Sequence, residues 1–141
     1  MKELLIRNEK EMLDFGKTVA LQLKGGDILC LYGNLGAGKT TLTKGIAQVF
    51  GIKQRIKSPT FTLFNVYPVQ INGKSIKFVH VDAYRLKDEE EMIDVGIDDY
   101  LGDAGTICVV EWAEKLPDLL KKKKCVEIHI EHTETGRKIQ F

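Results

Sequence analysis

Residues 33–40, Gly-Asn-Leu-Gly-Ala-Gly-Lys-Thr, constrain the fold of this 141-residue chain more than any other segment. They match the phosphate-binding pattern G-x-x-x-x-G-K-[ST] at every fixed position. A short apolar run, Ile28–Tyr32, precedes the loop and predicts a buried strand, and residues 40–50 predict the helix that follows. Because the pattern lies where a strand passes into a helix, we predict a P-loop. A plain glycine turn would need neither the lysine nor the spacing of the glycines.

The residue types of this loop suit a nucleoside triphosphate bound with Mg²⁺. Glycines let backbone N–H groups point at phosphate oxygens, and the start of the next helix adds its positive dipole end. Lys39 supplies a mobile charge for the β- and γ-phosphates, and the Thr40 hydroxyl is a ligand for Mg²⁺. The predicted nucleotide-binding residues in this segment are Asn34, Leu35, Gly36, Ala37, Gly38, Lys39, Thr40 and Thr41.

The sequence also favours ATP over GTP. The motif [NT]-K-x-D, which reads guanine, is missing, since residues 43–46 begin with Thr-Lys but have no aspartate.

Composition indicates an ordinary globular protein and excludes several classes of function. The length suits one domain, residues 1–141, and the net charge of +1 gives no general attraction to DNA or to an anionic membrane. No apolar run reaches the roughly 18 residues of a membrane span, and the N-terminus has no signal-peptide core. Three cysteines without a C-x-x-C pair suit core packing in a reducing compartment. We therefore expect a cytoplasmic protein.

The pattern of strands and helices predicts an α/β fold: a P-loop NTPase-like sheet, partly parallel, flanked by helices, with antiparallel β-hairpin additions. Asn8 and Glu11 form a capping pair that opens a helix ending near residue 21, and Gly51 ends the P-loop helix. Asn72-Gly73 predicts a hairpin, an antiparallel ribbon inserted before the next core strand. The remaining predicted elements are strands 3–6, 61–69, 75–82 and 107–110, a helix over 88–100, and a closing hairpin over 126–130 and 138–141.

Two carboxylates follow apolar strands and are candidates for the second half of the site. Asp82 ends the run 78–82, and Glu111 ends the run 107–111. In α/β sheets, ligands bind outside the carboxyl ends of the strands, and hydrolysis of a nucleotide needs an acid near the Mg²⁺. We predict that at least one of the two binds the metal. A single acid at the end of a strand could also be a helix cap or a surface charge.

Several other residues admit both a functional and a structural interpretation. Thr60, within residues 58–62, lies where hydrolases often place a phosphate-sensing loop, but Pro59 also suits a β-turn. Arg85 could contact phosphate or pair with nearby acids, and Trp112 could stack on a base or pack in the core. We expect His80, within an apolar strand, to be structural, and the lysine run 121–124 to be a solvated helix end.

Four segments together resemble one family. Residues 33–41, 58–61 (S-P-T-F), 80–86 (H-V-D-A-Y-R-L) and 110–112 (V-E-W) occur in the order and at separations similar to those of the TsaE family, formerly YjeE. These are small bacterial ATPases needed to make threonylcarbamoyladenosine in tRNA. The resemblance spans residue 5 to residue 141, and the combination is much more specific than the P-loop alone. One departure is Asn34, a position that is often acidic in the family.

The resemblance implies an ATPase that is slow alone and that joins the TsaB and TsaD proteins. In that family TsaD transfers the threonylcarbamoyl group to adenosine 37 of ANN-decoding tRNAs, so tRNA would be met indirectly through the complex. The resemblance further implies that Lys39 binds phosphate and that Thr40 and Glu111 are Mg²⁺ ligands. Asp82 resembles a Walker B-type acid that supports hydrolysis, and Thr60 and Trp112 lie beside the nucleotide.

Two alternatives belong to other classes of function. A small P-loop metabolite kinase would carry an arginine-bearing lid, whereas the four arginines here, Arg7, Arg55, Arg85 and Arg137, are scattered. A non-catalytic module switched by nucleotide occupancy would need neither carboxylate.

Overall fold

A computed structural model of the chain describes residues 1–56 and 63–141. Within these ranges, one sheet contains seven strands: β1 (Glu3–Ile6), β2 (Ile28–Tyr32), β3 (Phe64–Ile71), β4 (Lys74–Asp82), β5 (Thr106–Glu111), β6 (Cys125–His132) and β7 (Arg137–Gln140). Their spatial order is β1-β7-β6-β2-β5-β4-β3. The four strands β6-β2-β5-β4 run parallel, and the outer pairs β1–β7, β6–β7 and β3–β4 are antiparallel. The predicted fold class is confirmed.

The central strands are buried on both faces, which explains their continuous apolar runs. In β2, Leu29 and Leu31 point to one hydrophobic cluster, and Ile28 and Cys30 point to the other. The two clusters follow from the alternation of side chains along a strand. The sheet therefore has two packed faces, one of which carries the helix that follows the P-loop.

The first face is covered by two long helices, α1 (Glu9–Ala20) and α2 (Lys39–Val49). They approach closely at Gly16 and Gly45, since a Cβ at Gly45 would lie 2.2 Å from the carbonyl oxygen of Leu13. Asn8 caps α1 by accepting a hydrogen bond from the N–H of Glu11, as predicted. We call this covered side the helical face.

The end of α2 also follows the prediction. Gly51 has φ of 74°, its N–H donates to Gln48, and the N–H of Ile52 donates to Ala47. These two hydrogen bonds form a Schellman motif, in which a left-handed residue satisfies the last carbonyls of the helix.

Among the described residues, the second face is covered by short segments, and we call it the segmented face. These are α3 (Glu90–Asp94), α4 (Pro117–Lys121) and the 3₁₀ turns Ile97–Asp99 and Ala113–Lys115. The predicted single helix over 88–100 is wrong, because Gly96, with φ of 86°, separates α3 from the first turn. Met92 and Ile97 are fully buried, whereas Ile93 and Val95 are exposed. The apolar residues alone did not reveal this break.

The predicted hairpin is present, with one correction. Asn72 and Gly73 form its turn at φ of 52° and 78°. The ribbon is not an insertion ahead of the next core strand, since β4 is itself that strand and pairs in parallel with β5. The predicted start at residue 61 lies outside the described residues. The closing hairpin β6–β7 is confirmed.

Candidate functional site

Three parallel strands bring the P-loop and both predicted carboxylates to one edge of the sheet. The loop follows β2, while Asp82 and Glu111 are the last residues of β4 and β5 and are register partners. Leu31 of β2 is the other register partner of Glu111. The carboxyl edge therefore collects the residues that the sequence placed at strand ends.

The P-loop backbone depends on two glycines in the left-handed region. Gly36 and Gly38 have φ of 78° and 110°, and Gly38 directly precedes α2. A Cβ at Gly38 would also lie 2.9 Å from Cε of Met12, on α1. Within the loop, the N–H of Ala37 donates to the carbonyl of Asn34 over 3.0 Å. These features fix the loop between the two helices of the helical face.

Arg137 holds the P-loop by hydrogen bonds to its backbone, a role that the sequence analysis missed. From β7, its Nε donates to the carbonyl of Ala37 over 3.1 Å and its Nη2 donates to that of Gly36 over 3.2 Å. The guanidinium thus satisfies two loop carbonyls and holds the loop against β7. One hundred residues separate Arg137 from Ala37, so no local motif could have revealed the contact.

Lys39 is the most constrained cation of the site. It is only 5% exposed, and its Nζ donates to the carbonyls of Gly33 and Asn34. The same Nζ lies 4.0 Å from the centroid of the Trp112 ring. Burial lowers the pKa of Lys39 below its ordinary value, while the charges of Glu111 and other nearby carboxylates act in the opposite direction.

Glu111 contacts two further polar side chains. Thr40 Oγ1 lies 3.2 Å from Oε1 and 3.1 Å from Oε2 of Glu111, so its hydroxyl is placed to donate to the carboxylate. His80 Nε2 lies 2.5 Å from Oε2. Glu111 is 3% exposed and His80 is fully buried. The structure thus brings together the two predicted metal ligands and adds a histidine that we expected to be structural.

The hydroxyl and the carboxylate are suitable ligands for Mg²⁺. Both are hard oxygen donors, and in phosphate-transfer sites the protein typically supplies only one or two of them, with phosphates and water completing the shell. The described residues contain no group of three or more His, Cys, Asp or Glu that could hold a metal by itself. The pair therefore suits a metal that arrives with a nucleotide.

The remaining candidates lie around this centre. Asp82 Oδ1 accepts a hydrogen bond from the N–H of Tyr84 over 3.0 Å, which orients its carboxylate at the end of β4. The half-buried Trp112 has φ of 60°, and its ring lies 5.0 Å from that of Tyr84. Arg85 is exposed. Thr60 and the segment 58–62 lie outside the described residues.

A polar cavity of about 360 Å³ adjoins the P-loop on the side of α1. Its lining includes residues 36–38, Thr41, Asn8 and Arg137. A larger apolar cavity lies elsewhere, between α1 and the strands β1 and β6, away from the carboxylates. Of these two cavities, the polar one adjoins the loop.

The strand–loop–helix unit, with a lysine in the loop and carboxylates at the same edge, defines the class of P-loop nucleotide-binding proteins. The family model described as "Threonylcarbamoyl adenosine biosynthesis protein TsaE" matches residues 6–139. The chain belongs to the TsaE family, and the resemblance drawn from the sequence motifs is confirmed. Its family role is in the biosynthesis of threonylcarbamoyladenosine in tRNA.

Curated relatives and a solved structure agree with this assignment. The chain is 41% identical over 126 residues to the TsaE protein of Bacillus subtilis, covering 88% of this chain and 75% of the relative. It is 40% identical to that of Haemophilus influenzae, covering 96% and 85%. The crystal structure of Bacillus subtilis YdiB matches with a TM-score of 0.77 at 32% identity, covering 98% of this chain and 82% of that one. No described helix is long and apolar enough to cross a membrane.

Proposed function

We propose that this protein binds and hydrolyses ATP with Mg²⁺, and that its ATP cycle supports a TsaB–TsaD complex that modifies adenosine 37 of tRNA in the cytoplasm. The observation that carries the proposal is the contact between Thr40 Oγ1 and the buried Glu111 carboxylate beside the P-loop. A structural threonine–glutamate pair would not need a lysine and a glycine loop at the same edge. Oxygen ligands beside a phosphate loop suit a magnesium nucleotide.

Each residue of the edge then has a distinct task. The N–H groups of residues 34–41 and the ammonium of Lys39 bind the phosphates, and Thr40 and Glu111 hold Mg²⁺, which offsets phosphate charge when bound. Asp82 orients the attacking water by accepting its hydrogen bond. The polar cavity of about 360 Å³ beside the loop accommodates the nucleoside, and the Trp112 ring lies 4.0 Å from Lys39 Nζ.

The partner-dependent part of the proposal rests on family membership and on charge. A net charge of +1 leaves little general attraction to tRNA, so contact with tRNA through a complex is favoured over independent binding. We therefore expect slow hydrolysis by the isolated protein and faster hydrolysis with TsaB and TsaD.

The test is Mg²⁺-dependent ATP hydrolysis by the purified protein, alone and with TsaB–TsaD from the same organism. Lys39→Ala and Glu111→Gln should each lower the stimulated rate by about 100-fold or more, because the first removes the cation that binds the phosphates and the second weakens the Mg²⁺ site. Glu90→Gln is the matched control, since Glu90 is an exposed acid on α3, which does not carry the loop. Undiminished MgATP binding by Lys39→Ala would contradict the assigned phosphate site.

The same experiment separates the alternatives. ATP binding without stimulation, followed by phosphate transfer to a small molecule in an acceptor screen, would indicate a kinase. If Glu111→Ala abolished hydrolysis but left tRNA modification intact, nucleotide occupancy alone would control the partner, and the protein would be a binding switch.

A further inference from the structure

We propose that His80 is a positioning residue that orients the Glu111 carboxylate for Mg²⁺, and not merely a buried residue of the core. This inference rests on the proposed role of Thr40 and Glu111 as the metal ligands. It is carried by the 2.5 Å contact between His80 Nε2 and Glu111 Oε2 and by the burial of both side chains.

The register of the sheet explains how the contact arises. His80 pairs with Val109 and Asp82 pairs with Glu111 across the parallel strands β4 and β5. Since side chains alternate along a strand, His80 lies on the same side of β4 as Asp82, and Glu111 lies on the same side of β5 as Val109. The imidazole therefore lies two register pairs behind the carboxylates on the same face of the sheet, below the edge that holds the P-loop.

The direction of the hydrogen bond follows from the chemistry of the acceptor. An ionised carboxylate only accepts, so His80 Nε2 carries the hydrogen and donates to Oε2. The second ring nitrogen, Nδ1, is buried without a hydrogen-bond partner among the described residues. In this part of the chain, the polar contact of the ring is thus directed to Glu111.

A purely structural role does not account for this arrangement. Burying a polar ring in an apolar strand is unfavourable unless its hydrogen bonds are made, and a leucine of similar volume would fill the space without that cost. Its neighbours on β4, Val79 and Val81, are fully buried aliphatic side chains. Among the four buried positions 78–81 of this strand, His80 is the polar residue, and what it adds is a donor aimed at one oxygen of Glu111.

The carboxylate needs such a donor because its terminal torsion is broad. The χ3 angle of a glutamate has no sharp preference, so the orientation of the two oxygens depends on their partners. Thr40 Oγ1 lies at similar distances, 3.2 and 3.1 Å, from both oxygens and does not distinguish them. His80 contacts Oε2 alone and so fixes the rotation of the group. Residues that hold a ligand in this way change metal affinity or activity by about 10- to 100-fold when removed.

The test compares His80→Leu, which removes the donor at similar volume, with His80→Gln, which keeps an N–H donor near the position of Nε2. The readouts are the affinity of Mn²⁺ and Mg²⁺ for the protein loaded with a non-hydrolysable ATP analogue, the affinity for the analogue without metal, and the thermal midpoint. For His80→Leu we expect metal affinity about 10- to 100-fold lower, with metal-free nucleotide affinity unchanged. His80→Gln should restore most of the metal affinity.

Equal metal affinity in the wild type and His80→Leu would overturn the inference, and so would equal losses in the Leu and Gln variants. If the Leu variant does not fold, His80→Asn replaces it, because the shorter amide keeps polarity but does not reach Oε2. Glu111→Gln distinguishes this failure from failure of the proposed function. If Glu111→Gln lowers metal affinity and the His80 variants do not, only the inference about His80 is wrong, whereas no effect from any of them removes the metal site.

Discussion

The two faces of the sheet are covered differently, and the site draws on both. On the helical face, α1 and α2 pack along their lengths and meet at Gly16 and Gly45, so backbone rests on backbone. On the segmented face, helices of five residues and single 3₁₀ turns cover the cluster around Met92 and Leu116. The P-loop leads into α2 on the first face, whereas Trp112 packs against the cluster of the second and contacts Tyr84.

Because of this difference, we expect the helical face to hold the P-loop in position and the segmented face to open more easily. Close-packed long helices hold α2, and with it Lys39 and Thr40, in one position. Short segments with few backbone hydrogen bonds open at lower free energy than long helices do. The two faces meet where the Trp112 ring lies against the Lys39 ammonium. We therefore expect a destabilising substitution on the segmented face to lower stability without weakening nucleotide binding. A destabilising substitution on the helical face should lower both.

The largest expected effect on stability comes from Met92→Ala on the segmented face. Met92 is fully buried, and its truncation leaves a cavity, so the free energy of unfolding should fall by about 2–5 kcal/mol. Nucleotide affinity, measured where the variant is still folded, should stay near wild type because α3 does not carry the loop. Ile93→Ala is the control, since Ile93 is 47% exposed and should change stability by less than about 0.5 kcal/mol. Weaker nucleotide binding by Met92→Ala would contradict the expected difference between the two faces of the sheet.

Gly45→Ala should have a somewhat smaller effect on stability but should also weaken nucleotide binding. Alanine favours a helix over glycine by about 1 kcal/mol, so any loss must come from the 2.2 Å approach to the Leu13 carbonyl. Overpacking of this kind typically destabilises by about 1–3 kcal/mol. Urea unfolding and titration with an ATP analogue would measure both effects, with Gln48→Ala on the exposed side of α2 as the control. Retained stability would mean that α1 can shift away from α2.

Lys39→Met tests the point where the faces meet, through the pH dependence of stability. Burial lowers the pKa of Lys39 in the folded protein below its ordinary value of 10.5. Between the lowered pKa and 10.5, the Lys39 amine is therefore protonated to a greater extent in the unfolded chain than in the folded protein. The stability of the wild type should therefore rise relative to Lys39→Met as the pH approaches 10.5. Lys44→Met, on the same helix, is the control. A difference between wild type and Lys39→Met that is constant with pH would show that burial of the ammonium is not the governing cause.

Local patterns were sufficient to predict most of the fold. The strands Ile28–Tyr32 and Thr106–Glu111 contain continuous apolar runs, and capping residues such as Asn8 and Gly51 mark helix ends by chemistry that involves only their neighbours. The helix predicted over 88–100 failed because apolar spacing does not show which glycine adopts a left-handed conformation. Gly96 does so here, and the apolar Ile93 and Val95 are exposed.

The site was predictable where a residue ends a strand and unpredictable where it acts across the sheet. Asp82 and Glu111 could be placed at one edge because parallel strands end together. The contact of Arg137 with the loop and of His80 with Glu111 depends on strand order and register, which no segment of the chain contains by itself.

The smallest expected effect is a difference in reactivity among the three thiols. It measures how readily the segmented face opens. Cys30 and Cys108 are buried in the cluster of that face, while Cys125 is half-buried at its border. Burial raises the pKa of Cys108 to about 12 and raises those of Cys30 and Cys125, and the reactive species is the thiolate. In the native protein we expect a disulfide reagent to modify Cys125 first and the other two thiols only as the face opens.

Met92→Ala provides the sharper form of this experiment, because it should accelerate the reaction of Cys30 and Cys108 without changing nucleotide affinity. When opening is fast relative to the reaction, the rate follows the free energy of local opening, so a loss of stability on that face appears directly in the rate. Gly45→Ala should accelerate the two thiols only to the extent that it destabilises the whole protein. Equal acceleration of the Cys30 and Cys108 reactions by both variants, for the same loss of global stability, would show that the two faces open as one unit. The expected difference between a rigid helical face and a more easily opened segmented face would then be wrong.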